Sequence, residues 1–341
     1  MNTLDQVTVQ EALGLGETHA SWLGAIESGG APSVPLRLPS PHAAAALLMR
    51  LGVDARDAEE VAGTLPSAQG QPALWWLLER SVHLMRQHMG EPEVNTHWPP
   101  LPPGLGAQGR LFLAYLFLAV FEDVRRWHAA HGVDDAISWE TLSSLGRAMR
   151  IHRARQGEGG VFEHGWMTLP FRACLYEIGR LQYTPFRVTE QWLRRWADPA
   201  TAEPSVPGVA PGDPAVGIHI PASGPLTPAS VTASLLRARA LFAKPTPWGP
   251  CRIAVCGSWL LDEQLAAYLP PSANIIRFQQ RFTMLPGAGN GDGSVFTFVF
   301  RRQGSPASLD DLPQRTALER AIVAHLRAGG HWRTRTGWLA L

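Results

Sequence analysis

Apolar residues in this 341-residue chain recur at helical spacing through the front, and beyond about residue 180 they fall into short alternating runs broken by turns. A 3.6-residue period and a 2-residue period suit different elements, so the front reads as packed helices and the back as strands alternating with helices. Windows 41–51, 54–65, 71–89 and 108–131 carry the helical pattern, with Asp54 and Gln71-Pro72 as openings and Gly52, Gly90 and Gly132 as stops. Residues 97–103 (HWPPLPP) cannot be helix interior, because successive prolines remove N–H donors and clash with the preceding turn. The stretch 111–121 is apolar throughout, about half as long as a bilayer requires, and ended by Glu122 and Asp123, which predicts a buried core helix.

Two more helices are expected, one capped by Ser138 and running to about residue 156, the other over 170–179. Segment 180–188 (RLQYTPFRV) reads as an edge or bulged strand, because Pro185 cannot donate to a ladder. Residues 198–215 are rich in Pro and Ala without a period, hence an exposed loop. Then follow a strand (216–221), a helix (227–242), a strand (252–259) and a helix (261–269). Strands at 275–284 and 295–302, joined by a Gly-rich loop, precede a helix (312–328) and a Trp-rich tail (331–341). That order is α/β.

Charge and cysteine usage narrow the function classes. Lys plus Arg (30) almost balance Asp plus Glu (29), so no net field draws the chain to nucleic acid or an acidic membrane, and a small-molecule or protein partner is expected. Cys174, Cys251 and Cys256 form no disulfide framework, and residues 1–16 lack the basic and apolar regions of a signal peptide. Both point to a cytoplasmic location. His83, His88 and His97 show no helix-face metal pair, so no metal is expected. Residues 287–293 (GAGNGDG) are read as a loop between strands rather than a dinucleotide fingerprint, and Gly257-Ser258 lacks the second glycine of a nucleophile elbow.

Two segments carry candidate chemistry. In 217–230 (GIHIPASGPLTPAS), a strand with Ile218 and Ile220 on one face and His219 on the other enters a turn containing Gly224, then a helix with Thr227 as N-cap and Pro228 first. Unpaired amides at such a start can hold an anion, and the same pattern also describes an ordinary strand-to-helix turn. In 251–270 (CRIAVCGSWLLDEQLAAYLP), a buried strand breaks at Gly257-Ser258 before a helix striped by Leu261, Leu265 and Leu269, with Tyr268 at its edge. A core tyrosine with a satisfied hydroxyl reads the same way.

The wording of 217–235, 256–270 and 272–282, with the strand-turn-helix order around it, resembles bacterial acyltransferases with a GNAT-like C-terminal domain. The front is similar to the helical N-acyltransferase domain that accompanies it. The resemblance implies an α/β (α+β) protein with a helical N-terminal lobe (1–137) packed on a GNAT-like mixed-sheet C-terminal lobe (138–341). It implies acyl transfer from a CoA or acyl-carrier-protein thioester to a small-molecule or peptide amine. In that frame His219 would be the base, Tyr268 the acid and Ser258 a hydrogen-bonding aid, while Ile220, Gly224, Thr227 and Gly257 would line the donor site. The usual pyrophosphate motif, Gln or Arg, two residues, then Gly-x-Gly or Gly-x-Ala, is absent, since this turn has only Gly224 with a proline beyond it. A GNAT-derived binding or scaffold protein is therefore the alternative.

Overall fold

The computed structural model describes residues 4–94, 96–162, 164–197, 206–244, 246–302, 304, 306 and 308–341. The chain divides into two compact units, Met1–Glu177 and Ile178–Leu341. The first holds ten helices among its described residues: α1 (Gln6–Leu13), α2 (Ala20–Ser28), α3 (Pro41–Arg50), α4 (Ala55–Gly63), α5 (Pro72–Gln87), α6 (Gly106–Arg110), α7 (Phe112–Ala130), α8 (Asp135–Leu142), α9 (Ser144–Gln156) and α10 (His164–Phe171). The continuous helical stretch Pro103–Ala130, which includes α6 and α7, is long and apolar enough to span a bilayer by length and composition, yet Phe112 through Leu118 are all buried in the core of this unit. Phe117 stacks on Phe171 of α10 at 4.1 Å, and Trp22 meets Phe112 edge-on at 5.8 Å. Truncating such a buried ring costs roughly 3–5 kcal/mol, so these contacts specify the bundle.

The family resemblance implies a helical lobe ending at residue 137, whereas the compact unit runs 40 residues further, to Glu177. Helices α8 and α10 pack on α7, and α9 on α8 and α10, so they complete the helical core. Ser138 does not cap a helix: Asp134 occupies the N-cap of α8, and the Ser138 hydroxyl meets His128 Nδ1 at 2.7 Å. The helix expected over 170–179 ends at Phe171, where Pro170 and a left-handed Ala173 (φ 55°) turn the chain into β1 (Tyr176–Ile178), which spans the division.

The second unit contains β2 (Leu181–Arg187), α11 (Glu190–Trp196), β3 (Pro214–His219), α12 (Pro228–Phe242), β4 (Ile253–Ser258), α13 (Asn274–Gln279), β5 (Thr283–Met284), β6 (Gly289–Asn290), α14 (Asp292–Phe298), α15 (Ala317–Arg327) and β7 (Arg333–Ala340). Its mixed sheet runs β2-β3-β4-β7-β5, with β6 pairing β7. Strands β3 and β4 are parallel, whereas β2–β3 and the pairings of β7 with β4, β5 and β6 are antiparallel. Helix α12 covers one face, where the Tyr183 hydroxyl on β2 bonds Ser234 Oγ at 2.8 Å. The other face carries Phe186, Ala215, Ile253, Val255 and Trp338 in one apolar cluster with Trp196 of α11. Of the Pro/Ala-rich loop read over 198–215, residues 198–205 lie outside the described residues.

Three expected elements differ. The hairpin of 275–284 and 295–302 is instead helices α13 and α14 around two short strands, so a helix does follow the glycine-rich loop. Gln279 donates to the carbonyls of Leu260 and Asp262, and Asp292 accepts from Trp332 N–H; these long-range bonds override a local pattern too short to fix its period. The Trp-rich tail is strand β7, paired to three others. The helix expected over 261–269 is two 3-10 turns, because the fully buried Asp262 carboxylate takes the N–H of Gln264 and of Arg333 and breaks the segment.

Candidate active site

The parallel strands β3 and β4 pair only at Val216–Ala254 and Gly217–Val255. Beyond those positions each keeps its outer neighbour: β3 stays on β2 as far as His219–Gln182, and β4 stays on β7 as far as Ser258–Arg335. The sheet therefore parts between Ile218-His219 and Cys256-Gly257-Ser258, at the carboxyl ends of its two parallel strands, where open α/β sheets bind ligands.

Side chains alternate along each arm. Partners share a face, so Gly217, His219, Val255 and Gly257 project to the side of the apolar cluster, and Ile218, Cys256 and Ser258 to the side of α12. His219 and Ser258 thus point to opposite faces, and the Ser258 hydroxyl accepts from Leu260 N–H at 3.1 Å, capping the first 3-10 turn. Gly257, on the arm opposite His219, is exposed and presents no side chain to that gap. His219 Nε2 lies 2.7 Å from Thr184 Oγ1 on β2. Burial lowers the His219 pKa to about 4, so the ring is neutral near pH 7 and able to accept a proton. Burial pushes the Cys256 thiol up to about 12, which removes it as a thiolate nucleophile.

After His219 and the half-buried Ile220, the exposed turn 222–225 leads to α12, with Gly224 at φ 105°. Arg180 clamps this turn, donating to the carbonyls of Pro221 (2.9 Å), Gly224 (2.7 Å) and Pro225 (3.1 Å). The Thr227 hydroxyl is taken up by the helix itself, accepting from Ser230 N–H at 3.2 Å. With Pro228 lacking an N–H and Ser230 capped, few first-turn amides remain for an anion. Arg281 donates to the Pro228 carbonyl (3.1 Å) and the Thr232 hydroxyl (2.7 Å), which sets a guanidinium beside that turn. Neither arginine carried a local signal in the sequence; strand pairing and the 3-10 turns bring them here.

Tyr268 is positioned by other partners. Its hydroxyl meets His325 Nδ1 on α15 at 3.1 Å, and its ring packs against Trp332 at 6.2 Å. It follows a 3-10 turn rather than sitting on a helix, and the contacts that hold it are with His325 and Trp332. Among the described residues no group of three His, Cys, Asp or Glu side chains is placed to hold a metal ion.

An N-acyltransferase N-terminal domain matches residues 42–173 and a GNAT-like C-terminal domain matches residues 175–339. An acyltransferase solved with decanoyl-CoA is 40% identical over 99% of this chain and 100% of its own, with a TM-score of 0.85. The chain belongs to this acyltransferase family. Structures of an acyltransferase with decanoyl-CoA and teicoplanin (41% identical, TM-score 0.84) and with CoA and 10C-teicoplanin (42% identical, TM-score 0.84) also cover 99% of this family member and 100% of their own chains. No curated protein matches it.

Proposed function

We propose that the protein moves an acyl group from acyl-CoA to an amine of a glycopeptide acceptor, with the reacting centre in the opening between β3 and β4. The observation that carries this reading is the parted pair of parallel strands with neutral His219 on one arm and Gly257 on the other. Full-length similarity to acyltransferases solved with decanoyl-CoA and teicoplanin supports the donor and the acceptor class. The amine attacks the thioester carbonyl, forming a C–N bond; the nitrogen becomes acidic on attack and gives its proton to His219. The C–S bond then breaks. The imidazolium then returns that proton to the departing thiolate, so the protons balance without a second acid. Ser258 and Tyr268 stay outside the chemical step.

The donor's pantetheine arm would lie in the opening, with its phosphates toward Gly224, the α12 start and Arg281. The test is incubation with decanoyl-CoA and teicoplanin, following free thiol and the mass of the glycopeptide. One decanoyl group gained per thiol released supports the reading. Transfer from an acyl carrier protein but not from CoA would replace the donor. Absence of both turnover and any thermal shift with acyl-CoA would leave a scaffold protein.

A further inference from the structure

We infer that Thr184 is the positioning residue for His219 and that Gly217 is what allows it to be so. The inference rests on the acyl-transfer reading for its role in rate, though its geometry does not. Thr184 lies on β2 and pairs with Gly217, while His219 pairs with Gln182; the two side chains are therefore diagonal neighbours on one face. Their bond, 2.7 Å from Oγ1 to Nε2, runs across the surface of Gly217. A Cβ on Gly217 would stand 2.7 Å from Thr184 Oγ1 and 3.3 Å from His219 Nε2, so a methyl group would have to push the pair apart. The glycine's backbone is not in the left-handed region, so space rather than conformation selects it.

The bond acts on the reaction through the tautomer it selects. With Nε2–H donating to Oγ1, the neutral ring keeps its lone pair on Nδ1, and that nitrogen takes the amine's proton. Both nitrogens then carry hydrogen, and the Nε2–H bond to Oγ1 becomes charge-assisted. The hydroxyl thereby stabilises the imidazolium just when it forms and holds the ring plane fixed throughout. Hydrogen bonds to charged groups are the stronger ones, so removing this bond is expected to lower kcat roughly 10- to 100-fold with little change in the donor KM.

The test compares Thr184→Val, which keeps the shape and loses the hydroxyl, with Thr184→Ser, which keeps the hydroxyl and loses the methyl. Expected are a fall in kcat for T184V, near wild-type kcat for T184S, and a loss in G217A no worse when combined with T184V. Nitrogen NMR of the His219 ring supplies a readout independent of turnover: its resonance should move in T184V and return in T184S. If T184V leaves both kcat and the ring resonance unchanged, the inference is overturned, as it is if T184S falls as far as T184V. If wild-type protein transfers no acyl group while the ring still responds to the hydroxyl, the positioning stands and the transfer reading falls.

Discussion

His128 in the helical unit and His219 in the sheet unit are built alike and placed differently. Each is an imidazole bonded to a hydroxyl at 2.7 Å, Ser138 for one and Thr184 for the other. Burial holds both pKa values far down, to about 3 and about 4. Yet His128 is fully enclosed, with Tyr176 at 5.5 Å, and its Nε2 has no partner. His219 keeps part of its surface open beside the parted strands. A depressed pKa therefore marks burial, and only the opening next to it marks a place where a proton can be exchanged.

Replacing each histidine breaks or sharpens that contrast. His219→Ala should lower acyl transfer by roughly 10² to 10⁴ with little effect on acyl-CoA binding, measured by kinetics and calorimetric titration. His128→Ala should leave turnover per folded molecule unchanged and cost about 2–4 kcal/mol of stability, read from urea unfolding, because it opens a cavity and orphans Ser138. Equal activity losses in the two variants would erase the distinction.

Acid should expose what they share. Above about pH 6.5 both rings are neutral folded or unfolded, and they contribute no pH dependence. As pH falls below that value the unfolded chain binds protons that the folded chain refuses, so stability drops by up to about 1.4 kcal/mol per pH unit for each histidine. The drop continues to about pH 4 for His219 and about pH 3 for His128. Urea midpoints between pH 7 and 4.5 should slope less steeply in His128→Leu; an unchanged slope would mean that ring is not held neutral. At a fixed concentration of free acceptor amine, activity should show no fall near 6.5 that belongs to His219; the loss on acidification should follow protonation of the amine.

The helical front, α12 with the turn before it, β3 and β4 were legible because each carries a complete local signal: a sustained period, Thr227-Pro228 as a helix start, or an apolar run between breaks. Strand β7 was not, since a central strand at the end of a chain is recognisable only by its partners. Likewise His219 stood out as the polar residue on an apolar strand, while Thr184 became visible only through the β2–β3 register. Thr227 shows the reverse case. The sequence offered one hydroxyl for two roles, and the Ser230 N–H distance assigns it to the cap.

Arg281 tests whether the donor turn compensates for its missing glycines. Arg281→Gln should raise KM for decanoyl-CoA about 10-fold or less, as befits a partly exposed charge, and leave KM for decanoyl-pantetheine, which lacks the nucleotide phosphates, unchanged. The effect on CoA should shrink at high salt. Equal changes for both donors would place Arg281 away from the phosphates and make its bonds to Pro228 and Thr232 purely structural.

Tyr268→Phe carries the smallest expected effect and the sharpest meaning. The substitution keeps the ring against Trp332 and removes only the hydroxyl that meets His325 Nδ1. That hydroxyl belongs to a residue 38% exposed, so the lost bond is replaced by water at little cost, and the melting temperature should move by no more than a degree or two. Because His219 can return to the thiolate the proton it took from the amine, turnover should fall less than about 3-fold. A fall of 10²-fold or more at unchanged stability would mean that thiolate departure needs its own acid. The His325–Tyr268 pair would then join the catalytic group, and the division of labour in which one histidine handles both proton transfers would have to be given up.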